Sequence, residues 1–145
     1  MKKILILSIL SFTTLSITNC SSKNDEQESV NNFENADYIK SQMVGKWNYW
    51  GHKSPSCNCW SYSGDVYKHY FDFKLDNTCT NKSFSSTVQT GTYTITPATK
   101  TDNAILHLTY KESSKTYVRI IYLKSLEAKT VTIYESSFDE RYDKE

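Results

Sequence analysis

Apolar and polar residues alternate along most of this chain with a period of two. The alternation is cleanest from Val66 to Lys74, where Tyr67, His69, Phe71 and Phe73 fall on one face and Val66, Lys68, Tyr70, Asp72 and Lys74 on the other. Successive side chains of a strand point to opposite faces, so this segment predicts a strand with its aromatic set turned inward. Met43 to Gly51, Met-Val-Gly-Lys-Trp-Asn-Tyr-Trp-Gly, predicts an earlier one with Trp47 and Tyr49 on a common face. Between them, His52 to Asp65 breaks the period around Ser54-Pro55-Ser56 and Ser63-Gly64-Asp65 and reads as a long loop.

The later strands follow the same logic. Asp76-Asn77 supplies turn chemistry, so a hairpin returns through Thr78 to Phe84. After polar Ser85 to Gln89, Gly91 to Thr96 alternates Tyr93 and Ile95 with threonines and stops at Pro97, which lacks a ladder donor. Ala104 to Tyr110 groups Leu106, Leu108 and Tyr110 with Ala104 and turns Ile105 and His107 out. Thr116 to Leu123 is apolar on both parities: Tyr117, Arg119, Ile121 and Leu123 on one, Val118, Ile120 and Tyr122 on the other, and either face fits the inside. Thr130 to Tyr134 is the seventh strand, and Ser136 to Glu145 reads as a short eighth edge strand or a frayed tail. Ahead of them all, Asn35 to Gln42 predicts a short helix capped by Asn35 and placed over one end of the domain.

Antiparallel strands in sequence order close most simply into an up-and-down barrel, with a two-sheet sandwich as the other solution. Gly45-Lys46-Trp47 resembles the GxW that opens the first strand of lipocalins and of bacterial lipocalin-like domains. The order of the segments that follow, from Tyr70 to Asn77 through Val131-Thr132-Ile133, is similar to that of lipocalin-like domains of bacterial lipoproteins over roughly residues 37 to 135. The resemblance implies an all-β, lipocalin-like antiparallel barrel of about eight strands, and no particular ligand. Such an interior is either filled by side chains or holds one small molecule. The residues expected to line it are Trp47, Tyr67, Phe71, Phe73, Tyr93, Leu106, Leu108 and Tyr110.

The N-terminus changes the picture of where such a domain works. Lys2-Lys3, an apolar Ile4 to Leu10 and a polar approach to Cys20 form an export signal too short to span a bilayer. Residues 1 to 19 resemble a bacterial lipoprotein signal, which implies that Cys20 is acylated and becomes the mature N-terminus. Acyl chains add about 0.8 kcal/mol of membrane affinity per buried methylene, so a multiply acylated Cys20 is a stable anchor. Residues 20 to 36 are mostly polar and form a flexible tether, with the domain occupying residues 37 to 145. Asp25, Glu26 and Glu28 resemble acidic signals that send lipoproteins of some Gram-negative bacteria to the outer leaflet; a solvating linker on a periplasm-facing protein explains them equally. The expected address is the outer membrane, on either face.

Composition narrows the chemistry. The chain has 17 basic residues, and removing Lys2 and Lys3 leaves 15 against 16 acidic ones, which excludes a nucleic-acid partner by charge. All 11 tyrosines and all three tryptophans lie beyond residue 19, as an all-β domain would use them. Cys57, Cys59 and Cys79 would meet an oxidising compartment. Cysteines one residue apart are awkwardly placed to bridge, so Cys79 is expected to pair with Cys57 or Cys59, closing a loop of about twenty residues worth roughly 3 kcal/mol. The alternative uses these thiols, with His52 or His69, as soft ligands for copper or zinc, but the spacing does not match paired zinc ligands. No metal and no cofactor is expected. Nor is catalysis: His52, His69 and His107 are scattered, and no nucleophile elbow or glycine-rich phosphate loop is present. Trp50, Trp60 and Tyr62, with Tyr49, gather around the first loop, either packed over the barrel mouth or offered to a protein or glycan.

Two functions fit this sequence. One is a lipid-anchored barrel that binds a small hydrophobic or amphipathic molecule. The other is an interaction lipoprotein whose barrel is packed and whose loops meet a protein.

Overall fold

The computed structural model describes residues 32–63, 69–83, 87–135 and 137–145. Cys20 and Tyr67 lie outside these residues, as does most of the expected tether. Asn35 caps the helix α1 (Ala36–Met43), its side-chain oxygen accepting from the amides of Asp37 at 2.9 Å and Tyr38 at 3.1 Å. A 3₁₀ turn at Asn32–Glu34 precedes it and packs Phe33 against the core. α1 buries Ile39 and Met43, and the Trp47 indole N–H donates to the Met43 carbonyl at 2.6 Å, fixing the helix to the first strand.

The strands are β1 (Gly45–Ser54), β2 (Cys59–Tyr62), β3 (Tyr70–Phe73), β4 (Thr78–Lys82), β5 (Val88–Thr96), β6 (Ala104–Glu112), β7 (Lys115–Leu126), β8 (Thr130–Glu135) and β9 (Phe138–Lys144). β1 and β3 to β9 pair antiparallel in chain order and β9 returns to β1, closing an eight-stranded up-and-down barrel. α1 covers the end where β1 begins, the helix end. The β6–β7 and β8–β9 turns lie at the other, the turn end.

The expected loop from His52 to Asp65 is instead largely a β-hairpin. β1 runs on to Ser54 and pairs with β2, Gly51 opposite Tyr62 and Ser54 opposite Cys59. The period breaks there because the register of β1 against β9 shifts between Tyr49 and Gly51, a bulge that sets His52 beside Tyr49. Pro55 and Ser56 mark only the tip, where Asn58 takes φ 52°.

The polar C-terminal segment is β9, bonded to both β8 and β1, with Tyr142 wholly buried. Its composition hid this role because a barrel strand need turn only alternate residues inward. On β7 the parity carrying Arg119, Ile121 and Leu123 faces inward, leaving Val118, Ile120 and Tyr122 exposed.

The expected bridge from Cys79 to Cys57 or Cys59 does not form. Cys57 and Cys59 are bonded to each other across the hairpin tip, with Cα atoms 5.1 Å apart. Cys79 is a free, buried thiol at an inward position of β4, opposite Gly91 of β5. The two sites belong to different surfaces, one the barrel interior and the other a projecting turn.

Trp47, Phe71, Phe73, Tyr93, Leu106, Leu108 and Tyr110 are all buried, as the alternation predicts. Phe71 stacks on Phe73 with centroids 5.7 Å apart, and Phe73 meets Tyr93 edge-on at 5.1 Å. The gap among Met43, Trp47, Phe71, Phe73, Ile121 and Tyr142 measures about 10 Å³, room for a single water at most. The helix-end half of the interior is thus a packed core.

Candidate binding site at the turn end of the barrel

Toward the turn end the interior changes character. By register, Leu106 pairs with Ile121, Leu108 with Arg119 and Tyr110 with Tyr117, so each inward step along β6 and β7 replaces an aliphatic residue with a polar or aromatic one. Arg119 lays its guanidinium over the Phe71 ring, 4.9 Å from the centroid, and forms a two-pronged ion pair with Glu135 of β8. The two side chains are only 22% and 18% exposed. Burial would lower the affinity of Arg119 for its proton, but the hydrogen bonds and charge of Glu135 more than restore it.

Glu140 and Tyr142 project inward from β9, and the Tyr142 hydroxyl donates to the Glu140 carboxylate at 2.7 Å. The same oxygen lies 3.3 Å from Nε2 of His69, whose ring meets Tyr142 edge-on and stacks on Tyr49 at 5.4 Å. Burial, helped by the charge of Arg119, lowers the His69 pKa to about 4, so this ring is neutral at physiological pH. Burial also raises the Glu140 carboxyl above its ordinary range, only partly opposed by the bond from Tyr142.

Two further polar groups complete the ring of side chains. Asn81 is an inward residue of β4, 2% exposed, and Tyr110 crosses the interior at 4% exposed. A Cβ at Gly91 would sit 2.2 Å from the Thr109 carbonyl oxygen and 2.8 Å from Tyr110 Cδ1, so only glycine lets β5 and the Tyr110 ring come this close. Asn81 Oδ1 has no hydrogen-bond partner among the described residues. The Tyr110 hydroxyl has only the sulfur of Cys79 to donate to, a weak acceptor. Almost all buried polar atoms in folded proteins are bonded, which makes this pair informative.

The structure brings together Tyr110 and Phe71 from the expected lining and adds Arg119, Glu135, Glu140, Asn81 and Tyr142, none of which the sequence marked for the site. Arg119 shares parity with Ile121 and Leu123, a signal that was available but ambiguous. Trp47, Phe73, Tyr93 and Leu106 belong to the packed half, and Leu108, opposite Arg119, lies where that half meets this cluster. Among the described residues, no group of three or more His, Cys, Asp or Glu is arranged to hold a metal. Trp50, Trp60 and Tyr62 form a separate patch: Trp60 and Tyr62 are exposed, both contact Trp50, and Arg141 lies 4.7 Å over the Trp50 ring, while Tyr49 points the other way.

No family model, curated protein or solved structure matches this chain. The eight-stranded antiparallel barrel is the class that the fold itself defines.

Proposed function

We propose that this is a lipid-anchored protein of the bacterial outer membrane, held through Cys20, whose lipocalin-like barrel binds a small amphipathic molecule at its turn end. In this reading the barrel binds its ligand and does no chemistry on it. The observation that carries this reading is the buried Asn81 Oδ1, which has no partner among the described residues, together with a Tyr110 hydroxyl that meets only the weakly accepting Cys79 thiol and lies within the field of the Arg119–Glu135 pair. An unsatisfied buried polar group costs about 1–3 kcal/mol, which a purely structural interior avoids by using apolar side chains.

The chemistry of the ring restricts the ligand. Arg119 already has Glu135 on its guanidinium, and the remaining groups are the Glu140 carboxylate, the Asn81 amide oxygen and the hydroxyls of Tyr110 and Tyr142. Such a set accepts hydrogen bonds from a hydroxyl or amine and repels a carboxylate. The ligand is therefore a neutral or cationic amphiphile, with its apolar part against Phe71 and Tyr49, and not a fatty-acid anion.

Thermal midpoints measured with a sterol, a long-chain alcohol, an alkylamine and a fatty acid test this. A ligand at a hundred times its Kd adds about 2.7 kcal/mol to stability, so a saturable rise is expected from one of the first three and none from the fatty acid. Asn81→Leu and Tyr110→Phe should abolish the rise while leaving the free protein at least as stable. If no member of the panel raises the midpoint, the second reading takes over: an interaction protein that docks through the exposed outer face of Val118, Ile120, Tyr122 and Tyr134.

A further inference from the structure

The Cys57–Cys59 bridge has the wrong form for a staple. It spans two positions at the tip of the β1–β2 hairpin, where four residue pairs from Gly51–Tyr62 to Ser54–Cys59 already hold the chain ends together. A disulfide stabilises by removing freedom from the unfolded chain, and this contribution shrinks with the logarithm of the loop it closes. A three-residue loop has the least to remove. Both cysteines are also exposed, at the most projecting point of the hairpin, and a thiol can reach them from solvent.

Structural disulfides are buried or close long loops; exposed ones in small loops are those that exchange. The surroundings suit exchange with a protein partner. Cys59 is followed by Trp60 and Tyr62, exposed aromatics that pack with Trp50 and Arg141 into a platform beside the bridge. Exposed aromatics and arginine are the side chains that anchor protein contacts.

We propose that Cys57–Cys59 is an exchangeable disulfide that oxidises the thiols of a partner docked on the Trp50–Trp60–Tyr62 platform. A partner thiolate attacks one hairpin sulfur, the Cys57–Cys59 bond breaks, and the other hairpin sulfur leaves as a thiolate that takes up a proton. A second partner thiolate then attacks the partner sulfur of this mixed disulfide and expels the hairpin cysteine, which is protonated in turn. The partner has lost two electrons and two protons to become a disulfide, and the hairpin holds two thiols. The reverse exchange with another disulfide restores the bridge.

The experiment equilibrates the full chain in glutathione buffers of graded ratio, quenches with acid and maps maleimide-labelled cysteines. Two newly reactive thiols per chain, Cys57 and Cys59, are expected at ratios within the glutathione range, with Cys79 still unlabelled and the thermal midpoint unmoved. A Cys59→Ser variant, whose Cys57 thiol is free, should form a lasting mixed disulfide with a single-cysteine peptide supplied as its activated disulfide, expelling the activating thiol, and Trp60→Ala should slow reduction of the bridge by a tryptophan-containing dithiol peptide but not by glutathione. A bridge that stays closed in excess reduced glutathione overturns the proposal. So does a large fall in the midpoint once it opens, which would make the bond a staple.

Discussion

The Tyr142 hydroxyl donates to the carboxylate of Glu140, two residues earlier on the same strand, at 2.7 Å. Both side chains point into the barrel from β9, which bonds to β8 on one edge and β1 on the other. This contact holds an acidic group within the interior at the seam where the barrel closes.

Removing the hydroxyl isolates that carboxyl. Tyr142→Phe keeps the ring against Phe71 and Tyr49 but deprives Glu140 of its donor, and the expected loss is about 1–3 kcal/mol. Urea unfolding should show a lower midpoint at unchanged slope, since the surface exposed on unfolding is the same. Glu140→Gln in the Tyr142→Phe background should recover part of the loss.

His69 gives the protein an acid limb. Its folded pKa, lowered by burial to about 4, lies below the ordinary 6.5, so between these values the unfolded chain binds the proton and the folded chain does not. Stability therefore falls as pH drops from about 6.5 to about 4, by as much as roughly 3 kcal/mol, and levels off below. Glu140, raised by burial, slopes the opposite way above its ordinary 4.5. A midpoint-against-pH series on wild type, His69→Gln and Glu140→Gln separates them: the His69 variant should lose the fall below pH 6.5, and the Glu140 variant should lose the opposing slope.

The thiols offer a direct check on connectivity. Cys79 is fully buried and its thiol is held protonated by burial, so it should resist maleimide in the native state and react once per chain in denaturant. Peptide mapping without reductant should link Cys57 to Cys59. A link from Cys79 to either would contradict the arrangement described above.

The alternating pattern carried most of the barrel because period two is the direct consequence of strand geometry. Phe71, Phe73, Tyr93, Leu106 and Leu108 all face inward as their parity predicts, and Asn35 caps α1. The pattern failed where geometry departs from that period. The bulge at Tyr49–Gly51 shifts the frame of β1 and disguised a hairpin as a loop. It failed also where charge stands in for hydrophobicity: Arg119, Glu135 and Glu140 occupy inward positions, but a carboxylate or guanidinium on a strand is ordinarily read as solvent-facing. Which of them pair is decided by register across β7, β8 and β9, and that register is long-range information. The bonding of Cys57 to Cys59 was hidden for a related reason, since only the turn at Asn58, with its positive φ, brings cysteines so close in sequence into bonding geometry.

Arg119 and Glu135 provide the sharpest energetic test of the candidate site. Each is mostly buried, so each depends on the other for compensation, and the guanidinium additionally covers Phe71. Deleting one partner strands a charge in a poorly solvated place. Because both side chains keep some contact with solvent, the cost of Arg119→Met or Glu135→Gln is set at about 1–3 kcal/mol, below the roughly 3–5 expected for a fully buried pair. Replacing both together, as Arg119→Met with Glu135→Leu, removes the two charges and their desolvation at once. The double variant should therefore be more stable than either single charge deletion and close to wild type, with a cycle built from Arg119→Met and Glu135→Leu giving a coupling of about 1–2 kcal/mol. Equal and additive losses by chemical denaturation would show that the pair is solvent-screened, and the polar ring would then lose its claim to be an interior site.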